Sequence, residues 1–481
     1  MREKTPGQAI DGSDWYKWAV VFMLWFICFF NYADRQAIFS VFPLLQREMG
    51  LSKFELGIIG SAFMWVYAAM APFAGFTGDR VRRKTLILGG FFFWSVVTLL
   101  TGISTRFWHL ATFRALEGFG EAFYFPATMS LVSDYHGRET RSRAMSFHQS
   151  SVYIGTIGGG ALGGYFAQYY GWRLGFYVFG AAGVLLALIL LKFIREPVRG
   201  QAEMKERPAA VPERPLGVRE TLAEIFRTPT AVLLMGVFAG ANFVAMVFLT
   251  WMPSFLRDKF QMNLAWAGLT ATIYIQLASA IGAPTGGVLA DALAKRTPGG
   301  RMITQATGML LGAPFIFLTG RTLSIPTLIL AMACFGFFKG IYDANIFASL
   351  YDVVRPPARA TAAGIMNAVG WIGGAIAPIA IGWLASVGGS ENEVAYMSTA
   401  ISFNGAIYLL NALLLLAGIT FFARRDIGSR AQVLASGAGP RSGVVPDLKN
   451  LTTGSQAPVL GSQGGAGTTT SLPDQTTRLV E

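Results

Sequence analysis

The chain has 481 residues, of which 53% are hydrophobic and 14% are charged. Soluble domains carry about 25% charged residues, so this composition excludes a soluble globular protein and indicates one that crosses a membrane many times. The formal charge of +12 does not indicate a nucleic-acid partner, because Lys and Arg cluster at the ends of apolar segments, where they orient helices in a bilayer.

Twelve apolar segments are long enough to cross about 30 Å of hydrocarbon. The first is longer than a signal-peptide core and lacks a small-residue cleavage site, so we expect it to be retained. The predicted spans are 15–42, 55–77, 85–104, 107–133, 144–168 and 173–194, then 230–256, 265–290, 302–320, 325–350, 360–386 and 397–423. We therefore expect an all-α membrane protein in which 15–194 and 229–425 each form a six-helix bundle.

Polar segments at 1–14, 195–228 and 426–481 flank and separate the two halves. The last is rich in Gly, Ser and Thr, cannot bury a core and is predicted to be disordered. Loops rich in positive charge alternate with loops that hold little of it, and the positive-inside rule places the basic loops, the linker and both termini in the cytoplasm. The basic loops contain Arg80, Arg82, Arg83 and Lys84; Arg138, Arg141 and Arg143; Lys295, Arg296 and Arg301; and Arg355 and Arg359.

Charged residues inside the predicted spans are the main functional signal. In the fourth span Arg114, Glu117 and Glu121 share one helical face. Ionised groups near mid-membrane cost at least about 2.5 to 3.5 kcal/mol, so they face a water-filled cavity or each other and mark an ion or substrate path. The alternative is a buried ion pair that only pins two helices together. The first span adds Asp34 and Arg35.

The tenth span adds Lys339 and Asp343, which bring the set to four acids and three bases. A cavity with more acids than bases favours retention of a proton on one carboxyl group, the chemistry of a proton-coupled carrier. Arginine suits an anion because its planar fork binds a carboxylate bidentately. We therefore expect Glu121 and Asp34 to carry the proton and Arg114 and Arg35 to bind the substrate anion.

Lys339 has two interpretations. Matching Asp134 to Asp352 gives an offset of 218 residues, which places Lys339 opposite Glu121 across an internal repeat. Alternatively, Lys339 and Asp343 form a self-neutralising i, i+4 pair. Further candidates for lining the cavity are His148, Gln149 and Asn367, although a lone buried His more often serves as a hydrogen-bonding group.

Enzymatic chemistry is not indicated. The sequence contains no nucleophile elbow, metal-ligand cluster, phosphate loop or nucleotide-binding pattern, so we expect no enzyme, no cofactor and no metal. Cys28 and Cys334 both lie in apolar segments, so no disulfide framework is predicted.

Two copies of a short motif occupy equivalent places. Gly75-Phe-Thr-Gly-Asp79-Arg80 follows the second span and Gly287-Val-Leu-Ala-Asp291 follows the eighth, 212 residues later (291 − 79). The first copy resembles the major facilitator superfamily signature Gly-x-x-x-Asp-Arg-x-Gly-Arg-Lys, with Arg82 in place of its second glycine. The resemblance implies two pseudo-symmetric six-helix bundles and alternating access, with a gate formed by Asp79, Arg80, Arg83 and Asp291.

Asn31-Tyr-Ala-Asp34-Arg35 and the stretch from Arg114 to Pro126 resemble the anion:cation symporter and spinster families. The first resemblance implies a proton-coupled symporter of a small organic anion such as a sugar acid, and Leu249-Thr-Trp-Met-Pro253 favours it. The second implies transport of lysolipids or sphingolipid derivatives. We expect a monomer in a bacterial inner (plasma) membrane, with protons and the anion as its partners.

Two further alternatives stay open. The run from Gly155 to Gly164 resembles an antiporter motif with Gly160 where a proline is expected, although close helix packing explains these glycines equally well. A transport-dead nutrient receptor is the other, but that class usually adds a large soluble signalling domain.

Overall fold

The structure is a computed structural model that describes residues 14–78, 80–137, 139–198, 201–202, 218–355, 358–387, 389–423 and 425–428. These residues all belong to one structural unit, residues 1–432. The second unit, 433–481, lies outside the described residues, as do nearly all of the predicted N-terminal segment and the predicted disordered tail.

Helices begin and end close to the predicted spans in the first half. They are α1 (Asp14–Met49), α2 (Lys53–Gly78), α3 (Arg83–Thr101), α4 (Phe107–Ala122), α5 (Tyr124–Tyr135), α6 (Arg141–Tyr169) and α7 (Trp172–Phe193). The first helix extends seven residues beyond the predicted end of its span, from 42 to Met49 (49 − 42), with Pro43 inside it.

The second half repeats this plan after a short helix in the linker. Its helices are α8 (Val218–Arg227), α9 (Pro229–Phe260), α10 (Leu264–Ala294), α11 (Gly300–Arg321), α12 (Ile325–Asp343), α13 (Ile346–Val353), α14 (Arg359–Val387) and α15 (Gly389–Gly418), which a π-helical turn at Ile419–Ala423 extends. The linker helix α8 is held by Arg355, whose Nε donates to Glu224 Oε2 at 2.7 Å.

Ten helical segments of the described chain are long and apolar enough to cross a membrane. The other two predicted spans are the fourth, which carries the intramembrane charges and is divided into α4 and α5, and the fifth, which is the glycine-rich α6. Both run beside apolar helices, α4 against α2 and α6 against α1.

The fourth and tenth spans are both broken, at related positions. Pro126 lacks the N–H that would bond to the Ala122 carbonyl, and α4 ends at Ala122. In the second half the side chain of Asn345 donates to the carbonyls of Ile341 at 3.0 Å and Gly286 at 3.1 Å, and α12 ends two residues earlier, at Asp343. Each break lies beside the intramembrane charges, and broken helices are common at transporter binding sites.

Matched contacts show that the two halves are structural repeats. Arg83 pairs with Asp134 in the first half, and Arg301 bonds to Asp352 at 2.7 Å in the second; each residue is 218 positions from its counterpart (301 − 83 and 352 − 134). A glycine contact repeats as well, because a Cβ on Gly118 would meet the Phe63 carbonyl and one on Gly336 would meet that of Ile275. The glycines are 218 residues apart (336 − 118) and the carbonyls 212 (275 − 63).

The two bundles meet mainly through α2 against α14 and α6 against α10. Gly160 and Gly268 allow the second crossing, since a Cβ added to Gly268 would lie 2.1 Å from the Gly160 carbonyl oxygen. The α2–α14 crossing includes a hydrogen bond of 2.5 Å from Ser61 Oγ to the Ala375 carbonyl. Gly164 also packs against α10, at Leu264, and the remaining glycines of the run pack against α1, so packing accounts for the run that resembles an antiporter motif.

Candidate substrate and proton site

An ion pair between α1 and α4 forms the centre of the site. Arg35 Nε donates to Glu121 Oε2 at 2.5 Å, with 12% of the Arg35 side chain exposed and none of Glu121. The other carboxylate oxygen of Glu121 has no hydrogen-bond partner among the described residues. The sequence predicted a role for both residues but not that they touch, because helices distant in sequence provide them.

Aromatic rings surround the Arg35 guanidinium. Its Cζ lies 4.6 Å from the ring centroid of Phe63, 4.8 Å from Tyr32, 5.2 Å from Tyr67 and 5.4 Å from Trp371. A cation held over aromatic faces gains roughly 2 kcal/mol or more when it is desolvated. Trp371 belongs to α14, so the charge of Arg35 contacts the second bundle as well as the first.

Arg114 occupies a neighbouring position and has its own acidic partner. It forms an ion pair with Glu117 one turn along α4, and both side chains are almost fully buried. Arg114 and Arg35 both lie near the Phe63 ring, since Arg114 Cζ is 5.0 Å from its centroid. Arg114 is therefore already neutralised by a local partner, whereas the partner of Arg35 comes from another helix.

Asp34 lies in the same buried cluster. Thr98 Oγ1 of α3 donates to the Trp94 carbonyl at 3.0 Å and lies 3.4 Å from Asp34 Oδ2 and 3.5 Å from Glu117 Oε1, so both acids lie close to the same hydroxyl. The Oδ1 atom of Asp34 has no hydrogen-bond partner in the described part of the chain. Three carboxyl groups, those of Asp34, Glu117 and Glu121, thus share two guanidinium groups, and one added proton would balance the charge.

The charged pair of the second bundle is separate from this cluster. Lys339 and Asp343 form an ion pair along α12, as the i, i+4 interpretation predicted. The 218-residue spacing of Gly118 and Gly336, each three residues before Glu121 and Lys339, supports the equivalence of the latter two as well. Lys339 keeps 19% of its side chain exposed and Asp343 37%, so the pair is accessible.

The three weaker lining candidates lie on α6 and α14. His148 is buried in α6, and its Nε2 lies 3.0 Å from the hydroxyl of Tyr124, which also bonds to the Leu24 carbonyl. That arrangement fits a hydrogen-bonding group that connects α1, α5 and α6. Gln149 is exposed on α6 and Asn367 is half-buried on α14.

Of the predicted gate residues, Asp79 lies outside the described residues. Arg83 and Lys84 begin α3 and donate their backbone N–H groups to Glu196 at 2.8 and 2.7 Å, while Arg80 is exposed. Asp291 lies 3.0 Å from Arg301, which also binds Asp352. These contacts tie elements together within one bundle, so the role of these residues as a gate between bundles stays a prediction.

A contact between the bundles that sequence reasoning missed involves Lys53, which is 1% exposed at the start of α2. Its Nζ lies 2.7 Å from Asp258 of α9 and 3.9 Å from Glu393 of α15, and Gln46 of α1 donates to Glu393 at 3.3 Å. This group, Lys53–Asp258–Glu393, lies at the end of the bundles opposite the basic loops. No local spacing in the sequence connects its members.

Two bundles related by an internal repeat, with charges buried between their helices, define a polytopic membrane carrier. The sequence profile described as Major Facilitator Superfamily matches residues 24–323 and 267–453, and the chain belongs to this superfamily of transporters. The predicted fold of twelve helices in two bundles is confirmed. Since the relatives of this chain are named transporters, the prediction that it is not an enzyme is confirmed too.

The chain is similar to proteins named as galactarate/D-glucarate transporters and to proteins named spinster. "Probable galactarate/D-glucarate transporter GudP" of Bacillus subtilis (strain 168) is 30% identical over 424 residues, covering 82% of this chain and 89% of that protein. "Protein spinster homolog 1" of Homo sapiens is 29% identical over 315 residues, covering 62% and 59%. A crystal structure of a bacterial homologue of the lysosomal transporter Spinster, inward-facing and unoccupied, has a TM-score of 0.70, 22% identity and coverage of 87% and 99%. This structural likeness shows the fold.

Proposed function

We propose that this transporter carries a small organic anion, a sugar acid or another carboxylate, together with protons. The observation that carries the proposal is the ion pair between Arg35 and Glu121, in which a guanidinium among aromatic rings holds a fully buried carboxylate from another helix. The relative named for galactarate and D-glucarate supports this class of substrate.

The pair can couple an anion to a proton by competition. A substrate carboxylate that binds Arg35 displaces Glu121, and the displaced carboxylate would be buried without a positive partner. An unpaired buried charge is unfavourable by several kcal/mol, so Glu121 would take up a proton. Substrate binding then favours proton binding, and linkage requires the reverse as well.

The neighbouring groups would have supporting roles. Asp34, which lies close to the same Thr98 hydroxyl as Glu117, would be a second proton acceptor. Arg114, which is paired with Glu117, would supply positive charge close to the anion, whereas Arg35 would contact the anion first. Lys339 lies in the second bundle and would meet a second carboxylate of a diacid after separating from Asp343.

Movement of the two bundles would provide access from alternating sides. We infer from the positive-inside rule that the basic loops, the linker and both termini face the cytoplasm, and we propose a bacterial inner membrane as the location. With that orientation, the contacts of Lys53 would close the outer end, and the structure would correspond to an inward-facing state. We propose that the carrier works as a monomer. We retain 15–194 and 229–425 as the two moving bundles and Asp79, Arg80, Arg83 and Asp291 as the proposed gate at the inner end.

A spinster-like lipid carrier is the second candidate, favoured by the 29% identity to human spinster homolog 1. Proteoliposomes with the purified chain distinguish the two when counterflow of labelled D-glucarate and of a labelled lysophospholipid is measured under an imposed pH gradient. Glucarate exchange that increases with inward proton drive supports the anion proposal. Lysophospholipid exchange without glucarate exchange would replace it with the lipid carrier.

A further inference from the structure

We propose that a groove on the outer surface of the second bundle, between α11 and α15, binds a phospholipid with an anionic headgroup. The groove has a volume of about 460 Å³ and is lined by Leu310, Ala313, Pro314 and Phe317 of α11 and by Phe403 and Ala406 of α15. The acyl chain of the lipid would lie along these residues, and the phosphate of its headgroup would lie at Arg321 and Lys259.

The shape of the groove follows from small residues between large ones. A Cβ on Gly405 would lie 2.9 Å from the Ala313 carbonyl oxygen, so the two helices touch along the floor of the groove. Phe317 and Phe403 form its walls and are 53% and 70% exposed. In a membrane, apolar side chains this exposed face hydrocarbon, and a channel between them fits an extended acyl chain.

The end of the groove carries positive charge. Arg321 is the last residue of α11, lines the groove and holds its Cζ 5.7 Å from the Phe317 ring centroid. Lys259 Nζ donates to the carbonyl of Gly320 at 2.7 Å, directly beside Arg321. Neither cation has an acidic partner among the described residues, whereas Lys53 at the same end of the bundles binds Asp258 and Arg173 binds Glu48.

Charge and position together select the occupant. An anionic phosphate complements two adjacent cations, and each basic residue near a membrane surface contributes about 1 kcal/mol to binding of anionic lipid. A zwitterionic lipid also carries a phosphate, but the cation of its own headgroup offsets that charge, so a lipid with a net negative charge complements Arg321 and Lys259 better. The groove also lies away from the proposed transport path, because α11 packs on α10, α12, α13 and α15 of its own bundle.

Native mass spectrometry of the purified full chain tests the proposal with equimolar dioleoylphosphatidylglycerol and dioleoylphosphatidylcholine. The wild type should retain one molecule of phosphatidylglycerol in preference to phosphatidylcholine. Arg321→Gln should raise the apparent Kd for phosphatidylglycerol about fivefold, and Ala406→Trp, which fills the groove without changing charge, should abolish that site.

Two matched variants control for charge and size. Arg106→Gln removes an exposed cation at the same end of the first bundle, and Val288→Trp adds bulk to an exposed position of α10. Both should bind phosphatidylglycerol as the wild type does. Equal retention of both lipids, a loss as large in Arg106→Gln as in Arg321→Gln, unchanged binding in Ala406→Trp, or a dimer that occupies the groove would each overturn the proposal.

Discussion

Arg35 of α1 and Glu121 of α4 are 86 residues apart in the chain, yet Arg35 Nε lies 2.5 Å from Glu121 Oε2 in a largely buried ion pair. The pair differs from Arg114–Glu117, whose members lie three residues apart on one helix. Separation of Arg35 from Glu121 needs no unwinding of a helix, so an incoming anion can exchange for the carboxylate of Glu121.

Arg35→Lys tests whether the guanidinium fork is needed. Lysine keeps the positive charge but loses the planar set of donors, and a hydrogen bond to a charged group is worth about 1.5 to 3 kcal/mol. We therefore expect the KM for D-glucarate to rise roughly tenfold or more. Uptake by proteoliposomes at graded substrate concentrations measures this change. The matched variant Arg114→Lys should raise KM less, since Arg114 remains with Glu117, and equal effects of the two would contradict the assignment of first contact to Arg35.

Lys53 should hold the outer ends of the bundles together. Lys53→Met keeps a long side chain but removes the partner of Asp258 and Glu393, which should destabilise the closed outer end by about 1 to 3 kcal/mol. Ser61→Cys, buried between α2 and α14, reports closure in a background without Cys28 and Cys334. Labelling of Ser61→Cys from outside should become faster when Lys53→Met is added.

The control for that experiment is Arg173→Gln, which removes a cation of the same end from a pair with Glu48 inside one bundle. It should leave labelling unchanged. If adding Lys53→Met left the labelling rate of Ser61→Cys unchanged, as Arg173→Gln should, Lys53 would not close the outer end.

His136 predicts a pH dependence of stability that is separate from transport. It follows α5 in a loop, its Nε2–H donates to the Lys17 carbonyl at 3.2 Å, and its Nδ1 lies 3.0 Å from Thr140 Oγ1. Burial lowers the pKa of His136 below its usual value of about 6.5. Because the folded pKa lies below the unfolded one, the neutral ring stabilises the fold above about pH 6.5 and this contribution is lost as the pH falls.

Thermal unfolding of the wild type and His136→Gln at about pH 7.5 and about pH 5 measures this effect. The substitution should lower the free energy of unfolding by about 1 kcal/mol at the higher pH and by less at the lower pH. The same loss at both values would remove His136 as a source of pH dependence. If His136→Gln lowers the free energy of unfolding less at acid pH, the effect of His136 on stability can be separated from any effect of Glu121 on transport.

Local patterns in the sequence predicted what depends on local spacing. The lengths of the apolar segments predicted the twelve spans, because a span must match the thickness of a bilayer. The repeated motif predicted the two halves, because each copy is a short run of neighbouring residues. The pair Arg114–Glu117 follows from helical periodicity for the same reason. The sequence analysis did not anticipate the break at Pro126, although the missing N–H of that residue explains it.

Contacts between helices distant in sequence could not be predicted in this way. Glu121 was assigned to the proton and Arg35 to the anion as separate groups, but the two residues form one ion pair between two helices. Lys53 gave no signal at all, because Asp258 and Glu393 approach it only after the two bundles have packed. Such pairs depend on how helices pack, and no sequence spacing records that arrangement.

Glu121→Gln separates proton coupling from substrate binding. Glutamine resembles the protonated acid, so the variant should still bind D-glucarate and exchange it across proteoliposome membranes at a rate close to that of the wild type. Glu117→Gln is the control, because Glu117 is the fixed partner of Arg114, and its loss should weaken binding or folding without selectively removing pH dependence.

The decisive measurement is accumulation of labelled D-glucarate against its gradient in proteoliposomes with an imposed pH gradient, compared with exchange at equal pH. We predict that Glu121→Gln abolishes pH-driven accumulation, a loss of at least about tenfold, while exchange persists. Accumulation by Glu121→Gln equal to that of the wild type would contradict the assignment of the coupled proton to Glu121 and would make Asp34 or Asp343 the next residue to test.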